Sequence, residues 1–194
     1  MQVKIQRLLG RWDRGYSLDK HTISSTYLGI DEYGYDRFET LRTEVGEALF
    51  KLKYRSDRRQ AVMLATQLAT SLGGHLKDAS FVIPMPPSKQ RPFQPVEEIA
   101  KQVAELMGIP YIGNLLIKTA DTPQVKNIPV REERIRMLCA ALQVNDVLPE
   151  GAYNALIIDD LYDTGSSLEA ATHILKQYVK IQKVLVATLT RKNP

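Results

Sequence analysis

Two adjacent carboxylates, Asp159 and Asp160, end a short apolar run. Four residues after the second comes Thr164-Gly165-Ser166-Ser167, and then a helical pattern begins. Ionised carboxylates only accept hydrogen bonds, which suits the vicinal hydroxyls of a ribose or the waters of a bound Mg²⁺. The first turn of a helix has amide N–H groups without partners and carries partial positive charge, so a phosphate dianion can satisfy several of them at once. Gly165 lets the backbone approach closely and tolerates positive φ. Thr164, Ser166 and Ser167 add hydroxyl donors. Taken singly, Asp163-Thr164-Gly165-Ser166-Ser167 reads as an ordinary helix cap and Asp159-Asp160 as a solvated strand end. In this order they read as a site for a phosphorylated ribose.

The elements that must position these groups are legible around them. Ala155-Leu156-Ile157-Ile158 has no polar alternation, as expected of a strand covered on both faces in a parallel sheet. From Ser166 onward Leu168, Ala171, Leu175 and Tyr178 recur at three- and four-residue steps, the mark of an amphipathic helix. The loop therefore lies at the carboxyl end of a buried strand, where ligands bind in open α/β sheets.

The stretch resembles the 5-phosphoribosyl 1-pyrophosphate (PRPP) motif of type I phosphoribosyltransferases. The resemblance implies that Asp159 and Asp160 contact the ribose hydroxyls and that Asp163, Thr164, Gly165, Ser166 and Ser167 hold the 5′-phosphate. Phe81-Val82-Ile83-Pro84-Met85-Pro86, Arg91-Pro92-Phe93-Gln94, Asp121-Thr122-Pro123-Gln124-Val125-Lys126 and Leu49-Phe50-Lys51-Leu52-Lys53-Tyr54-Arg55 are similar to segments of one branch, the ComF-like proteins associated with bacterial competence. Three departures stand out. The branch usually begins with a four-cysteine zinc module, whereas this chain has one cysteine, Cys139. The arginines after Lys126 fit only loosely. Asp163 stands where ComF-like chains commonly carry Thr; in purine phosphoribosyltransferases an Asp in such a motif is placed to handle a proton on the base.

The fold this implies is α/β: a type I phosphoribosyltransferase-like parallel sheet flanked by helices, with a small N-terminal β-hairpin and a helical extension. Residues 1–75 read as an appendage and 76–194 as the core domain. Strands are expected at Phe81–Pro84, 111–117, 154–159 and 183–189, and helices at Glu44–Tyr54, 58–72 and Pro95–Met107, with a hairpin formed by Thr22–Ile30 and 35–41. That hairpin could cover part of the core or form a subunit contact, as in a homodimer. Residues 118–136 are polar and long for a connection, as lids often are.

With 194 residues, 44% apolar and 25% charged, the chain has the proportions of a soluble domain able to bury a core. No apolar run approaches membrane-spanning length, and a single cysteine suits a reducing cytoplasm. The net charge of +4 fits an anionic substrate; it permits nucleic acid without requiring it. The densest basic stretch, Lys51, Lys53, Arg55, Arg58 and Arg59, reads either as a solvated helix face or as a surface for nucleic acid or a partner. His21, His75 and His173 read as surface residues, and Cys139 as a small buried one.

The resemblance implies Mg²⁺-PRPP as substrate, with Mg²⁺ held by Asp159 and Asp160 directly or through water, and transfer of ribose 5-phosphate to an unidentified nitrogen acceptor with release of pyrophosphate. Asp163 is the candidate catalytic residue. Lys89, Arg91, Lys126, Arg131 and Arg134 are candidates for the pyrophosphate side, the last two, next to Glu132 and Glu133, also reading as members of i,i+3 and i,i+4 helix pairs. The rival reading is a PRPP- or nucleotide-binding module without turnover, acting in DNA uptake or in nucleic-acid-linked regulation.

Overall fold

The computed structural model describes residues 1–88, 92–120 and 128–192. A five-stranded sheet forms the centre, in the order β1 (Gln6–Arg7), β2 (Arg14–Lys20), β9 (Ile181–Arg191), β8 (Tyr153–Tyr162) and β5 (Phe81–Pro84). The four strands β2, β9, β8 and β5 run parallel; β1 pairs antiparallel with β2, so the sheet is mixed at that edge. The apolar run of β8 is uninterrupted because both its faces are covered. Leu156 and Ile158 join the core on one side; Ala155 and Ile157 join the core on the other.

On the first face lie α1 (Glu44–Tyr54), α2 (Arg59–Leu72) and α3 (Pro95–Met107), burying Val45, Leu49, Leu52, Leu64, Leu68, Ile99 and Val103 against the sheet. On the second lies α5 (Ser166–Lys176), through Leu168, Ala171 and Leu175. The N-terminal residues enter the same core: Leu18 packs with the first cluster, and Leu8 and Trp12 with the second. β3 (Thr22–Ile30) and β4 (Asp36–Arg42) form the expected hairpin, a separate two-stranded sheet whose large apolar side chains, Tyr27 and Phe38 among them, are exposed.

Two expectations are corrected. Residues 111–117 do not form a strand of the main sheet. Only Tyr111 bridges Val82, and Leu116–Lys118, as β6, leaves to pair antiparallel with β7 (Leu142–Val144). Residues 118–136 are not one irregular segment: Lys118 ends β6, and α4 (Arg131–Ala140) begins within the stretch. β6, β7 and α4 make a small unit beside the carboxyl end of the sheet, with α4 against α5. Among the described residues no helix is long and apolar enough to cross a membrane.

Candidate active site

β8 carries Asp159 and Asp160 past the end of its pairing with β5, where Pro84 stands opposite Ile158. The Asp160 backbone N–H donates to Asp159 Oδ1 at 2.8 Å, and Thr190 Oγ1 donates to the Asp160 carbonyl at 2.9 Å. The pair is thereby fixed by its own chain and by β9. Burial, and then the charge of Asp160, push the Asp159 carboxyl well above the usual carboxylate range; the Asp160 N–H and Lys53 pull the other way.

After Tyr162 the chain turns through Asp163 and Thr164 to Gly165, whose φ of 75° lies in the left-handed region. A Cβ there would lie 2.8 Å from Cε2 of the Tyr162 ring. Glycine is required on both counts. Gly165 is the N-cap of α5 and no side chain caps the helix. Asp163, a candidate cap from sequence, instead accepts from Lys192 Nζ at 2.6 Å. The first-turn amides of α5 therefore remain open to an external acceptor. They border a pocket of about 60 Å³ lined by Asp159, Leu161, Tyr162, Asp163, Thr164, Gly165, Ser166, Ser167 and Leu168. The Thr164 and Ser166 hydroxyls lie 3.0 Å apart at its rim.

This pocket adjoins a cleft of about 1130 Å³ between the sheet edge and the β6–β7–α4 unit. Its walls include Met85 and Pro86 after β5, Tyr111, Leu116, Ile117, Leu138 and Leu142, together with Asp159, Asp160, Asp163 and Ser167. Burial, and then the charges of Glu97 and Glu98, push the Tyr111 hydroxyl up to about 12, so it is a neutral donor there.

The structure brings Asp159, Asp160, Asp163, Thr164, Gly165, Ser166 and Ser167 together around one ledge. Arg131 sits behind it. Its Nη2 donates to Glu169 Oε1 at 3.2 Å and its Nε to the Thr164 carbonyl at 3.5 Å, so it ties α4 to the loop, and neither Glu132 nor Glu133 is its ion-pair partner. Glu169 is buried in the first turn of α5 and also pairs with Arg11. Arg134 is half-buried, its Nε without a hydrogen-bond partner among the described residues. Lys89, Arg91 and Lys126 lie outside the described residues.

Two cations at the site were not among the site cations named from sequence. Lys53 donates from α1 to Asp160 Oδ2 at 2.6 Å, and Lys192 meets Asp163 just past β9. The other members of the basic stretch have partners too: Lys51 pairs with Glu47, Arg59 with Asp57, and Arg55 and Arg58 stack on Phe50 and Phe93. His21 is half-buried and bonded to Thr190 Oγ1 at 3.2 Å, not a plain surface residue. Burial, then the charges of Arg42 and Lys53, keep its imidazole below its ordinary pKa. Cys139 is only half-buried.

The acidic pair, as arranged, does not fit direct metal coordination. One oxygen of Asp159 is held by an amide, one oxygen of Asp160 by an ammonium, and among the described residues no third Asp, Glu, His or Cys joins them. Mg²⁺ takes near-octahedral oxygen ligation, for which these remaining oxygens are a poor donor set.

No protein-family model and no curated protein matches the sequence. Among solved structures, adenine phosphoribosyltransferase from Saccharomyces cerevisiae, complexed with an imino-altritol bisphosphate and adenine, superposes with a TM-score of 0.50 at 11% identity, covering 86% of this chain and 84% of the other. The fold is that of a type I phosphoribosyltransferase. Adenine phosphoribosyltransferase from Leishmania tarentolae matches with a TM-score of 0.49 at 8% identity, over 97% and 94% of the two chains. Orotate phosphoribosyltransferase from Aeropyrum pernix matches with 0.40 at 17%, over 82% and 73%.

Proposed function

We propose that the cleft binds PRPP and transfers its ribose 5-phosphate to a nitrogen acceptor, releasing pyrophosphate. The observation that carries this reading is the uncapped start of α5, opened by Gly165 at φ 75°, in one pocket with the carboxylate ledge of Asp159 and Asp160. An anion satisfies the bare amides, and the carboxylates accept from the adjacent diol.

In this reading the hydroxyls of Thr164, Ser166 and Ser167 join the amides on the 5′-phosphate. Asp160 and Asp159 hold the ribose hydroxyls. The C1–O bond to pyrophosphate breaks as C1–N forms. The ring carries positive charge in between, and the acceptor's proton leaves towards Asp163, whose carboxylate lines the cleft. Catalysis then rests on positioning and on fixed charge. Lys89, Arg91 and Lys126 are our candidates for the pyrophosphate side. Arg131 steadies the phosphate loop through the Thr164 carbonyl and Glu169. The apolar walls at Leu116, Ile117, Leu138 and Leu142 suit a flat heterocyclic acceptor.

A second reading, a ComF-like binding module without turnover, is favoured by one contact. Lys192 holds Asp163 at 2.6 Å, which commits the carboxylate that would move the proton. Pyrophosphate release from PRPP, measured across purines, pyrimidines and simple amines, separates the two. Acceptor-dependent release that falls at least tenfold in Asp163→Asn supports transfer. PRPP binding without release by any acceptor supports the module.

A further inference from the structure

Lys53 belongs to the last turn of α1, and the sequence holds it there firmly. Thr43 caps the helix, accepting from the Gly46 N–H at 3.0 Å and donating to the Lys20 carbonyl at 2.6 Å. Gly46 has no room for a side chain: a Cβ would stand 2.1 Å from the His21 carbonyl oxygen. Val45, Leu49 and Leu52 lock the helix onto the sheet. The Lys53 Nζ then meets Asp160 Oδ2 at 2.6 Å, with the two side chains only 23% and 17% exposed. His21 between β2 and β3, Arg42 at the end of β4, and Lys192 beyond β9 face the same edge, and Asp159 and Asp163 share it.

We propose that Lys53 is the resident cation of the acidic pair, standing where a metal would otherwise bind and making the ribose-gripping carboxylates work without one. The inference rests on the ribosyl-phosphate reading of the pocket. An ammonium has three N–H donors, of which Asp160 takes one, and Lys53 also lines the cleft. It therefore leaves donors for a ligand oxygen while it offsets the negative charge of the acidic pair. A lysine on a packed helix is a fixed charge; a divalent ion must be recruited and partly dehydrated. The consequence is a specificity: the free site rejects divalent cations, and any that arrives does so as the counter-ion of the ligand's own diphosphate.

Manganese alone serves as the probe, followed by electron paramagnetic resonance on the full chain without sugar ligand. Wild type and Lys53→Arg bind no stoichiometric Mn²⁺ at submillimolar concentration. Lys53→Met, with Lys53→Gln alongside should Met disturb the fold, gains one site at least tenfold tighter. Adding Asp160→Asn removes it. A stoichiometric ion on wild type that Asp160→Asn abolishes overturns the proposal, as does a folded Lys53 variant that binds no more manganese than wild type. Ribose 5-phosphate, which has no diphosphate, is titrated in parallel. Equal affinity with Mg²⁺ and with chelator is expected, and a tenfold loss in chelator overturns the proposal. If ribose 5-phosphate binds in neither buffer, the ribosyl-phosphate reading fails, and the manganese arms still judge Lys53.

Discussion

Trp12 stands edge-on to Tyr162, ring centroids 6.3 Å apart and planes at 88°, and the Tyr162 ring in turn covers Gly165. The turn of the phosphate loop is thus braced by a residue from the opposite end of the chain. Trp12 is buried, with its Nε1 donating to the Leu8 carbonyl at 2.9 Å. Trp12→Ala should cost about 3–5 kcal/mol of stability, the usual range for deleting a large buried aromatic. Under conditions where it remains folded it should also bind PRPP more weakly than wild type. Urea melts and calorimetric titration check both; unchanged affinity would mean that Tyr162 holds the turn unaided.

Glu169 joins α4 to the loop through Arg131, and holds Arg11 on its other side. Glu169→Ala should lower stability by about 1–3 kcal/mol, as expected for a buried hydrogen-bonded group. It should also speed amide exchange in α4 more than in α2, since α4 loses its tie to α5. Exchange mass spectrometry reads this directly; equal effects on both helices would show that packing alone seats α4.

Much of this site was legible because its determinants are local. An uninterrupted apolar run, two acids, one glycine and a change of period place β8, the ledge and α5 within a single stretch. Lys53 was not legible, because its partner Asp160 lies 107 residues away and a lysine in a basic run reads as solvated. β2 was missed because Arg14-Gly15-Tyr16-Ser17-Leu18-Asp19-Lys20 has no apolar pattern. It buries Ser17 and Asp19, whose polar groups are satisfied by hydrogen bonds: Ser17 Oγ donates to the Asp19 carbonyl, and the Asp19 carboxylate accepts from the Lys4 and Lys20 N–H groups. The opposite error came at 111–117, where apolar content suggested a sheet strand but Gly113-Asn114 breaks the ladder after one bridge.

Acid should loosen the connection that leads into β8. Lys180, buried, donates to Asp146 and to the Leu148 carbonyl and pairs with Glu150; the Tyr178 hydroxyl also donates to Asp146. The Lys180 hydrogen bond first, and Tyr178 second, hold the Asp146 carboxyl below its ordinary value. A depressed carboxylate stabilises above its unfolded pKa of about 4 and loses that contribution as pH falls through the folded value. Asp146→Asn should therefore melt lower than wild type at about pH 6, with the gap closing towards about pH 3. A gap independent of pH would rule the charge out.

The hairpin offers a test of domain organisation. We propose that β3 and β4 are an appendage that the core does not need, because an isolated two-stranded sheet adds little stability. Thr22 and Arg42 pair directly, so a short Gly-Ser turn can replace the residues between them. The shortened chain should melt within about 5 °C of wild type. A collapse of the fold would make the hairpin part of the core.

The central claim is that the turn at Gly165 receives the 5′-phosphate of PRPP. Calorimetric titration of PRPP into wild type and Gly165→Val tests it most directly, because a branched side chain at φ 75° both strains the turn and crowds the amides. Saturable binding to wild type, weakened at least about tenfold (about 1.4 kcal/mol) in a folded Gly165→Val, is the predicted result. Equal affinity in the two proteins, or no binding to wild type, would contradict the account.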